Sequence, residues 1–357
     1  MSSLSSSPLI SLITVNYNGL HYLPGLYDSL SKQKYSPVEY ILVDNASSDG
    51  SVDYVKTHYP MVKVVQNSKN FMFARGNNEG IKVAQGDIIC LINNDVEVAP
   101  DFLLPIVKAF QEIPELAACQ PKVRDLHKPH LFEYAGAAGG FIDRFGYPFM
   151  RGRLFFTVEE DYGQYDSILE IFWSTGACFF IRRSVIEQIG FLDEDFVMHM
   201  EEIDLCWRMH LQGYKIFCIP SSVVWHKGGG TLAPDNPQKT YWNFRNNIFL
   251  LVKNSGIANL TRFLIFRLAL DFTAFIWEII RGKCGNAWSI LKAYMWILLH
   301  FPLLIQKRQK NQRRRQVNDR EIFRLVYPGS VVWEYFIRGR KKFSELRRIN
   351  TWLMNLK

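Results

Sequence analysis

Polar side chains directly follow the apolar segment formed by residues 88–92. The stretch "LINNDVEVAP" places Asn93, Asn94 and Asp95 where a core strand would give way to a turn. A carboxylate is a hard oxygen ligand of the kind that Mg²⁺ or Mn²⁺ takes when phosphate oxygens and water supply most of its coordination sphere. Asp95 is therefore a candidate metal ligand, with a structural Asx-turn as the alternative.

Two earlier apolar segments also end in polar residues. Thr14, Asn16 and Asn18 lie at the end of the first segment, and Asp44 follows the second. Open α/β sheets bind ligands in the crevice beyond the carboxyl ends of their strands, so three polar strand ends at one rim indicate a polar ligand. Asp44 could accept a hydrogen bond from a base N–H or a ribose hydroxyl; the alternative is that it caps the turn at 47–50.

Two further side chains suit phosphate or metal chemistry. Arg75, in "NFMFARGNNEG", opens an apparent helix beside Gly76 and could hold a phosphate or a base, or else form a surface ion pair. His226, in "VVWHKGGGT", follows an apolar run and precedes three glycines whose backbone could approach a phosphate closely. The alternative for His226 is a hydrogen-bonded core residue.

The elements that must position these residues alternate between strand and helix. We predict strands at 10–15, 40–43, 62–65 and 88–92, and helices at 22–31 and from 51 onward. Near-continuous apolar strands separated by helices indicate an α/β fold, with a parallel sheet covered on both faces.

Composition limits the class of protein. With 357 residues and 48% apolar content, the chain can bury one large core or two modest ones. Its six cysteines form no C-x-x-C pair, so we expect neither a disulfide framework nor a zinc site. The N-terminus lacks a basic region followed by an apolar one, so we expect no secretory signal and a cytoplasmic protein.

The C-terminal hundred residues combine aromatic and basic character. Residues 260–305 are apolar but are interrupted by charges and by Pro302, so we expect no clean transmembrane helix. The run "KRQKNQRRR" follows, and much of the net charge of +8 lies from Lys307 onward. We predict helices that lie on an anionic membrane surface, with a helical hairpin packed on the main domain as the alternative. No nucleic-acid partner is expected, because no recognised binding motif accompanies the charges.

Several motifs occur in order along the chain. "LITVNYNG", "ILVDNASSDGS", "NFMFARGNNEG" and "LINNDVEV" are followed by "STGACFFIRRSVIEQIGFLDEDFVMHMEEIDLCWRMHLQGYKIFCIPSSVVWHKGGGT". Together they resemble the inverting family 2 glycosyltransferases with the GT-A fold, especially the rhamnosyltransferase-like branch of bacterial polysaccharide assembly. The resemblance covers roughly residues 8–255.

The resemblance implies a domain division. Residues 1–7 would be a flexible N-terminus and 8–255 a GT-A domain, a Rossmann-like mixed sheet flanked by helices. That domain would divide into a nucleotide-binding half at 8–119 and an acceptor half at 120–255. Residues 256–357 would then be the helical, membrane-associating region, at the inner face of the cell membrane.

The resemblance also implies an activity and roles for individual residues. A sugar would move from a nucleoside diphosphate sugar, with dTDP-rhamnose as the first candidate, to a hydroxyl of a glycan or lipid-linked glycan. Glu202 would be the catalytic base, and Asp95 and His226 would hold Mg²⁺ or Mn²⁺. The expected substrate-binding residues are Thr14, Asn16, Asn18, Asp44, Arg75, Asn77, Asn94, Trp173, Thr175, Gly176, Glu201 and Arg245.

The chain departs from the family pattern at two of these positions. Asn93 stands where many members have the first acid of the metal motif, and Glu202 replaces the commoner Asp, which leaves Glu201 or Glu202 as the base. A carboxylate is required because an acceptor hydroxyl is a poor nucleophile until its proton is taken. The predicted helix start at this acidic segment favours negative charge, so we expect the base to be ionised at neutral pH.

Other functions remain as alternatives. Trp173 could stack on a sugar ring or pack in the core. The run "QKTYW" almost matches the Q-x-x-R-W signature of processive synthases, but Tyr241 occupies the Arg position, which favours addition of one or a few sugars. A sugar-1-phosphate nucleotidyltransferase should carry a glycine-rich loop that "TVNYNG" does not offer. An inactive nucleotide- or carbohydrate-binding relative at the membrane is the remaining alternative.

Overall fold

A computed structural model describes residues 4–228 and 236–356. The predicted flexible N-terminus is thus described from residue 4 only. Two of the three glycines after His226, Gly229 and Gly230, lie outside the described residues.

Strands and helices alternate in the first half of the chain, and helices dominate the end. The strands are β1 (Ile10–Asn16), β2 (Val38–Asp44), β3 (Val62–Gln66), β4 (Ile88–Ile92), β5 (Val96–Val98), β6 (Leu116–Asp125), β7 (Gly140–Asp143), β8 (Pro148–Met150), β9 (Arg153–Leu154), β10 (Thr157–Val158), β11 (Leu169–Glu170), β12 (Cys178–Arg182), β13 (Lys215–His226) and β14 (Val326–Tyr327). The α-helices are α1 (Leu23–Leu30), α2 (Ser51–His58), α3 (Met72–Val83), α4 (Leu103–Glu112), α5 (Arg183–Ile189), α6 (Glu201–Leu211), α7 (Pro237–Asn254), α8 (Ile257–Ile280), α9 (Cys284–Leu299), α10 (Phe301–Arg313), α11 (Asp319–Phe323) and α12 (Ile349–Met354). Short 3-10 or π turns occur at Glu194–Phe196, Trp333–Ile337 and Phe343–Glu345.

The main sheet is mixed and runs in the order β11-β13-β6-β12-β4-β1-β2-β3, with β5 paired to β13. Strands β1 to β4 are parallel, which confirms the predicted parallel arrangement for the first hundred residues. The sheet becomes mixed at β12, which is antiparallel to both β4 and β6. The carboxyl ends of β1, β2 and β4 therefore lie at one rim.

Alternating side chains of the central strands supply two cores. On β1, Leu12 packs with α1, α2 and α4 on one face, and Ile13 packs with α3, α5 and α6 on the other. α3 approaches the sheet closely at Gly80, where an added Cβ would lie 2.3 Å from a methyl group of Ile13. This packing fixes the position of α3 and α6 on the sheet.

The C-terminal residues pack back on the preceding ones. β14 pairs in parallel with β7 and completes a second sheet in the order β10-β9-β8-β7-β14. Helices α8, α9 and α10 contact α7, as the helical-hairpin alternative predicts. Arg267 and Asp271 of α8 form a buried ion pair, and Tyr294 of α9 donates to Asp271.

The basic run is only partly available for a partner. Lys307 forms ion pairs with Asp193 and Asp195, and Arg308 donates to the backbone carbonyls of Val252 and Ser255. Within the described residues, no single helix has both the length and the apolar character to cross a membrane; α9 and α10, bent by 69°, pass only as a pair and on length and composition alone.

Candidate active site

The polar ends of three parallel strands are joined by hydrogen bonds. Asn16, the last residue of β1, donates to Asp44 of β2 (3.4 Å) and to Ser47 (3.2 Å), and its carbonyl oxygen accepts from Asn94 (2.8 Å). Gly19 allows this arrangement, because an added Cβ would lie 2.4 Å from the Asn94 amide and 2.5 Å from that of Asn16. We call Asn16, Asp44 and Asn94 the polar rim.

The remaining residues predicted for this part of the site have separate positions. Asp44 also accepts from the backbone N–H of Ser47 (2.9 Å), so the turn-capping role is present. Asn18 accepts from the backbone N–H of Ser48 and lies just outside the rim. Thr14 is 1% exposed within β1, two residues before its end, which places it beneath the rim and not on it.

A buried carboxylate–imidazole–carboxylate chain lies directly after β4. Nε2 of His226, at the end of β13, is 3.0 Å from Oδ1 of Asp95, and Nδ1 is 3.3 Å from Oε2 of Glu133. Asn93 approaches the same Nε2 at 3.4 Å. The pairing of β13 with β5 sets this geometry, since His226 is opposite Val96, the residue after Asp95.

The two acids determine the charge of the histidine. Burial alone would lower the pKa of His226, but the charges of Glu133 and Asp95 raise it to about 10. Burial would likewise raise the pKa of Asp95, but the positive charge and hydrogen bond of His226 bring it below its ordinary value. At neutral pH the chain therefore holds an imidazolium between two carboxylates.

The side chains here suit a divalent cation whose remaining coordination positions are filled by a ligand. Asp95 supplies a carboxylate oxygen and His226 an imidazole nitrogen once its proton is lost, while Glu133 can orient the far side of the ring, as outer carboxylates do in metal sites. Among the described residues, no group of three or more His, Cys, Asp or Glu side chains forms a complete metal cage. A cation here would need oxygens from phosphate and water.

Two glutamates open α6, and they differ in burial. Glu201 is 4% exposed, and its Oε2 has no hydrogen-bond partner within the described part of the chain. Glu202 is partly exposed at the same helix start. The second turn of α6 lies against the segment after Trp173, because Cys206 accepts from the backbone N–H of Ser174 (3.4 Å). Glu202 is thus the more accessible of the two acids.

The expected full ionisation of the base is wrong. Burial raises the pKa of Glu202 to about 7, although the backbone N–H groups of the helix start lower it, and burial followed by the charge of Glu202 raises the pKa of Glu201 well above its ordinary value. Desolvation outweighs the helix dipole because the dipole contributes little compared with removing a carboxylate from water. Glu202 is poised to exchange a proton near neutral pH.

Arg75 and Asn77 lie on the first two turns of α3. The exposed Arg75 guanidinium stacks on Phe71, with 3.8 Å between its carbon and the ring centroid, and lies 3.8 Å from Glu194 and 3.9 Å from Glu79. This is the surface ion-pair arrangement weighed above. Asn77 is buried and donates to the Phe73 carbonyl of its own helix (3.0 Å), so its amide group contributes to the helix.

Trp173 is a core residue, so its predicted role as a sugar platform is wrong. It is 4% exposed, its indole N–H donates to the Phe141 carbonyl (2.8 Å), and its ring occupies the space where Gly140 would carry a side chain. Thr175 is also buried, and its hydroxyl accepts from the backbone N–H of Ala177. Gly176 is partly exposed beside Phe73 of α3, at the rim.

The Arg245 side chain does not have the contacts expected of the substrate-binding residue that was predicted. Its side chain is buried in α7, where Nη2 donates to the carbonyls of Asp195 and Phe196, both at 2.8 Å, and Nε donates to Asn246 (2.7 Å). The guanidinium also stacks on Trp296. Arg245 therefore binds the loop before α6, and its guanidinium is not free to bind a diphosphate.

Comparison with known proteins identifies the family. The glycosyl transferase family 2 profile matches residues 11–190, which is half of the chain and contains the polar rim and Asp95. The chain belongs to glycosyl transferase family 2. This glycosyltransferase is 26% identical over 267 residues to the N-acetylglucosaminyl-diphospho-decaprenol L-rhamnosyltransferase of Mycobacterium tuberculosis, covering 70% of this chain and 86% of that protein. It is 24% identical over 252 residues to the low-salt glycan biosynthesis hexosyltransferase Agl10 of Haloferax volcanii, covering 69% and 76%.

Solved structures support the GT-A-like fold of this glycosyltransferase. The mannosyltransferase PcManGT of Pyrobaculum calidifontis, in complex with GDP-Man and Mn²⁺, superposes with a TM-score of 0.51 at 14% identity, covering 87% of each chain. S. aureus TarS 1-349 in complex with UDP-GlcNAc gives 0.52 at 15% identity, covering 85% of this chain and 89% of that one.

Two residues of the glycosyltransferase escaped the sequence analysis. Glu133 lies in an irregular segment with no spacing that relates it to His226, although an acid within the apolar run "LFEYAGAAGG" is an available signal. Asn246 donates to the loop before α6 and follows Arg245, the residue that the sequence analysis did single out.

Proposed function

We propose that this glycosyltransferase is an inverting, metal-dependent enzyme that uses a nucleoside diphosphate sugar. The observation that carries the proposal is the buried chain of Asp95, His226 and Glu133 beside the polar rim. Asp95 and His226 would hold Mg²⁺ or Mn²⁺, which supplies positive charge to the departing diphosphate when bound. Asp44 and Asn16 would contact the nucleoside.

dTDP-rhamnose is the first candidate donor, and a lipid-linked glycan is the candidate acceptor. The proposal rests on the similarity to an enzyme named as an L-rhamnosyltransferase acting on an N-acetylglucosaminyl-diphospho-lipid. The acceptor hydroxyl oxygen bonds to the anomeric carbon as the bond from that carbon to the diphosphate breaks, and the hydroxyl proton passes to Glu202. A carboxylate with a pKa of about 7 suits this role, since it is basic enough to take the proton and is ionised in half of the molecules at that pH.

A nucleotide screen tests the proposal. Thermal unfolding is measured with UDP, GDP and dTDP and their common sugar conjugates, with and without Mn²⁺, on the intact protein and on Asp95→Ala. We expect one nucleotide to raise the midpoint in a Mn²⁺-dependent way, and Asp95→Ala to lose the effect. No shift with any nucleotide would contradict the proposal. Nucleotide binding without sugar transfer would support an inactive relative, and formation of a sugar nucleotide from a nucleoside triphosphate would support a nucleotidyltransferase.

We further propose peripheral attachment to the cytoplasmic face of an anionic membrane. Large apolar side chains of α8 and α9 are exposed, including Trp277 at 57%, Ile280 at 72% and Leu298 at 73%. Exposed apolar surface of this kind, together with Lys310 and Arg313 of α10, which are exposed and form no ion pair within the described residues, suits a lipid headgroup region. Flotation with liposomes containing anionic lipid at low salt tests the attachment; a protein that stays with the soluble fraction would contradict it.

A further inference from the structure

The segment that leads into α6 has an unusual backbone. We call residues 193–200 the base loop. Val197, His199 and Met200 all have positive φ, at 66°, 69° and 71°. L-residues avoid this left-handed region, and for a β-branched residue such as Val197 it is a true outlier. A backbone of this kind persists only where its surroundings hold it, and it is concentrated at functional sites.

One side chain binds three carbonyls of the strained part of the loop, and the backbone N–H of Ala74 in α3 donates to a fourth, that of Val197 (3.4 Å). The Asn246 amide of α7 donates to three carbonyls of the loop, those of Phe196 (3.0 Å), Met198 (2.8 Å) and His199 (2.7 Å). An amide has two N–H groups, so the three acceptors share them. The Asn246 carbonyl oxygen is fixed in turn by Nε of Arg245. Asn246 is completely buried, so no water competes for these bonds.

The other end of the loop is held by ions. Lys307 of α10 pairs with Asp193 and Asp195, and Lys253 of α7 bridges Asp193 to Asp204 of α6. The base loop is therefore fastened at its beginning by lysines and at its end by Asn246. All of these contacts come from the helices that follow residue 236.

We infer that Asn246 is a positioning residue for the base, and that its amide fixes the base loop so that Glu202 meets the acceptor hydroxyl. Arg245 supports Asn246, and Lys307 fastens the start of the loop. The inference rests on the proposed function, in which Glu202 takes the proton. Asn246 itself contacts only protein atoms.

Proton transfer to Glu202 requires that the base loop be held in one position. Without this restraint, Val197, His199 and Met200 would relax toward ordinary backbone angles, and the first turn of α6 would shift or fray. A displacement of about 1 Å in a reacting group can cost 10²-fold in rate. Relaxation would also admit water to Glu202, whose titratable neighbours include Glu201 and Cys206.

Asn246→Asp is the sharpest variant, because it conserves volume and replaces the donating amide with an oxygen that faces carbonyls. Asn246→Ala removes the contacts. Asn243→Ala, one turn earlier on α7, is the matched control, because its side chain makes no hydrogen bond to the base loop among the described residues. Sugar transfer from dTDP-rhamnose to a short-chain N-acetylglucosaminyl-diphospho-polyprenol is measured against pH, and amide hydrogen exchange is measured for residues 193–202.

We expect both Asn246 variants to lose about 100-fold in kcat, with KM for dTDP-rhamnose unchanged within about twofold. The acid limb of the kcat profile should move to lower pH, because a solvated Glu202 ionises more readily, and the base-loop amides should exchange faster. Asn243→Ala should match the wild type. A purely structural role would not move the acid limb.

Different results overturn the inference and the proposed function. If Glu202→Gln transfers sugar at the wild-type rate, or the wild type transfers none, the proposed function fails. If Glu202→Gln loses transfer while the Asn246 variants keep kcat and the pH profile, the positioning role fails. Should the Asn246 variants not fold, Arg245→Lys decides the matter: an unchanged kcat and pH profile overturns the inference, and a smaller loss with the same shift of the acid limb supports it.

Discussion

At the polar rim, Asn16 hydrogen-bonds to Asp44 and Asn94, and all three side chains lie at the ends of neighbouring parallel strands. The base loop has no such framework. Its strained backbone depends on Asn246, 48 residues after the Met198 carbonyl that it binds, and on Lys307, 114 residues after Asp193. One region takes its geometry from the sheet, whereas the other is held mainly by later helices, together with α3, whose Asn78 donates to Glu194 (3.0 Å).

This difference suggests that binding and proton transfer can be lost separately. The rim is supported by continuous ladders on both sides of β1, so damage to the C-terminal helices should leave it intact. The base loop depends on a few buried polar contacts, each costly to leave unpaired. Variants of the two regions should therefore differ in which step they impair.

The largest separation is expected from Glu202→Gln. Removing the base should lower transfer by about 10²–10⁴-fold, the usual contribution of general base catalysis. Mn²⁺-dependent nucleotide binding at the rim should stay at the wild-type level in a thermal-shift titration. A parallel loss of nucleotide binding would show that the two regions are not independent.

The ion network beneath the base loop should dominate stability. Asp204→Ala leaves the buried Lys253 and Arg208 without a carboxylate they now bind at 2.8 Å each, which should cost about 3–5 kcal/mol in denaturant unfolding. Asp101→Ala, at an exposed position, is the control and should stay within about 0.5 kcal/mol of wild type. Equal stabilities for the two variants would contradict the network's importance.

Glu133→Gln should affect only the metal chain. A neutral amide holds the far side of His226 less firmly, so Mn²⁺ affinity should fall by about 10–100-fold. Glu160→Gln, in the same region but exposed, should bind Mn²⁺ like the wild type. Isothermal titration of each variant with Mn²⁺ and the selected nucleotide measures both; an unchanged affinity for Glu133→Gln would exclude its orienting role.

The raised pKa of Glu202 also predicts a pH dependence of stability. The folded-state pKa of about 7 exceeds the value of 4.5 for an unfolded glutamate. Glu202 therefore leaves the free energy of unfolding unchanged below the unfolded value, and the free energy falls as the pH rises from there through the folded value. Glu202→Gln should therefore raise the unfolding midpoint more at pH 8 than at pH 4.5. The same gain at both pH values would contradict the raised pKa.

The smallest effect separates two lysines of α10. Lys310 is exposed, so Lys310→Gln should weaken binding to anionic vesicles about fivefold, or ~1 kcal/mol, and leave stability unchanged. Lys307 is engaged with Asp193 and Asp195, so Lys307→Gln should lower stability and leave vesicle binding unchanged. The reverse pattern, in a sedimentation assay and a thermal scan, would place the membrane contact elsewhere.

The predicted elements were accurate where signals are local. β1 to β4, α1 and α2 were identified from apolar runs and their spacing, and the start of α6 from its acidic segment. Trp173 and Arg245 were misjudged because their residue types suit either a ligand or a core, and only packing distinguishes the two. The ionisation of Glu202 was misjudged because burial cannot be read from the helix start.

The amino-acid sequence by itself determined the α/β class, the strand ends that form the rim, and the candidacy of Asp95 and His226, since these depend on residue type and on position along one element. The role of Glu202 came from the resemblance to family 2 glycosyltransferases. Only the tertiary structure showed that Glu133 faces His226 and that Arg245 and Asn246 bind the base loop. It also showed that Lys307 forms internal ion pairs. Each of those facts is a contact between residues at least 47 positions apart. Such contacts depend on how whole helices and sheets pack together, and a local sequence pattern does not predict that packing.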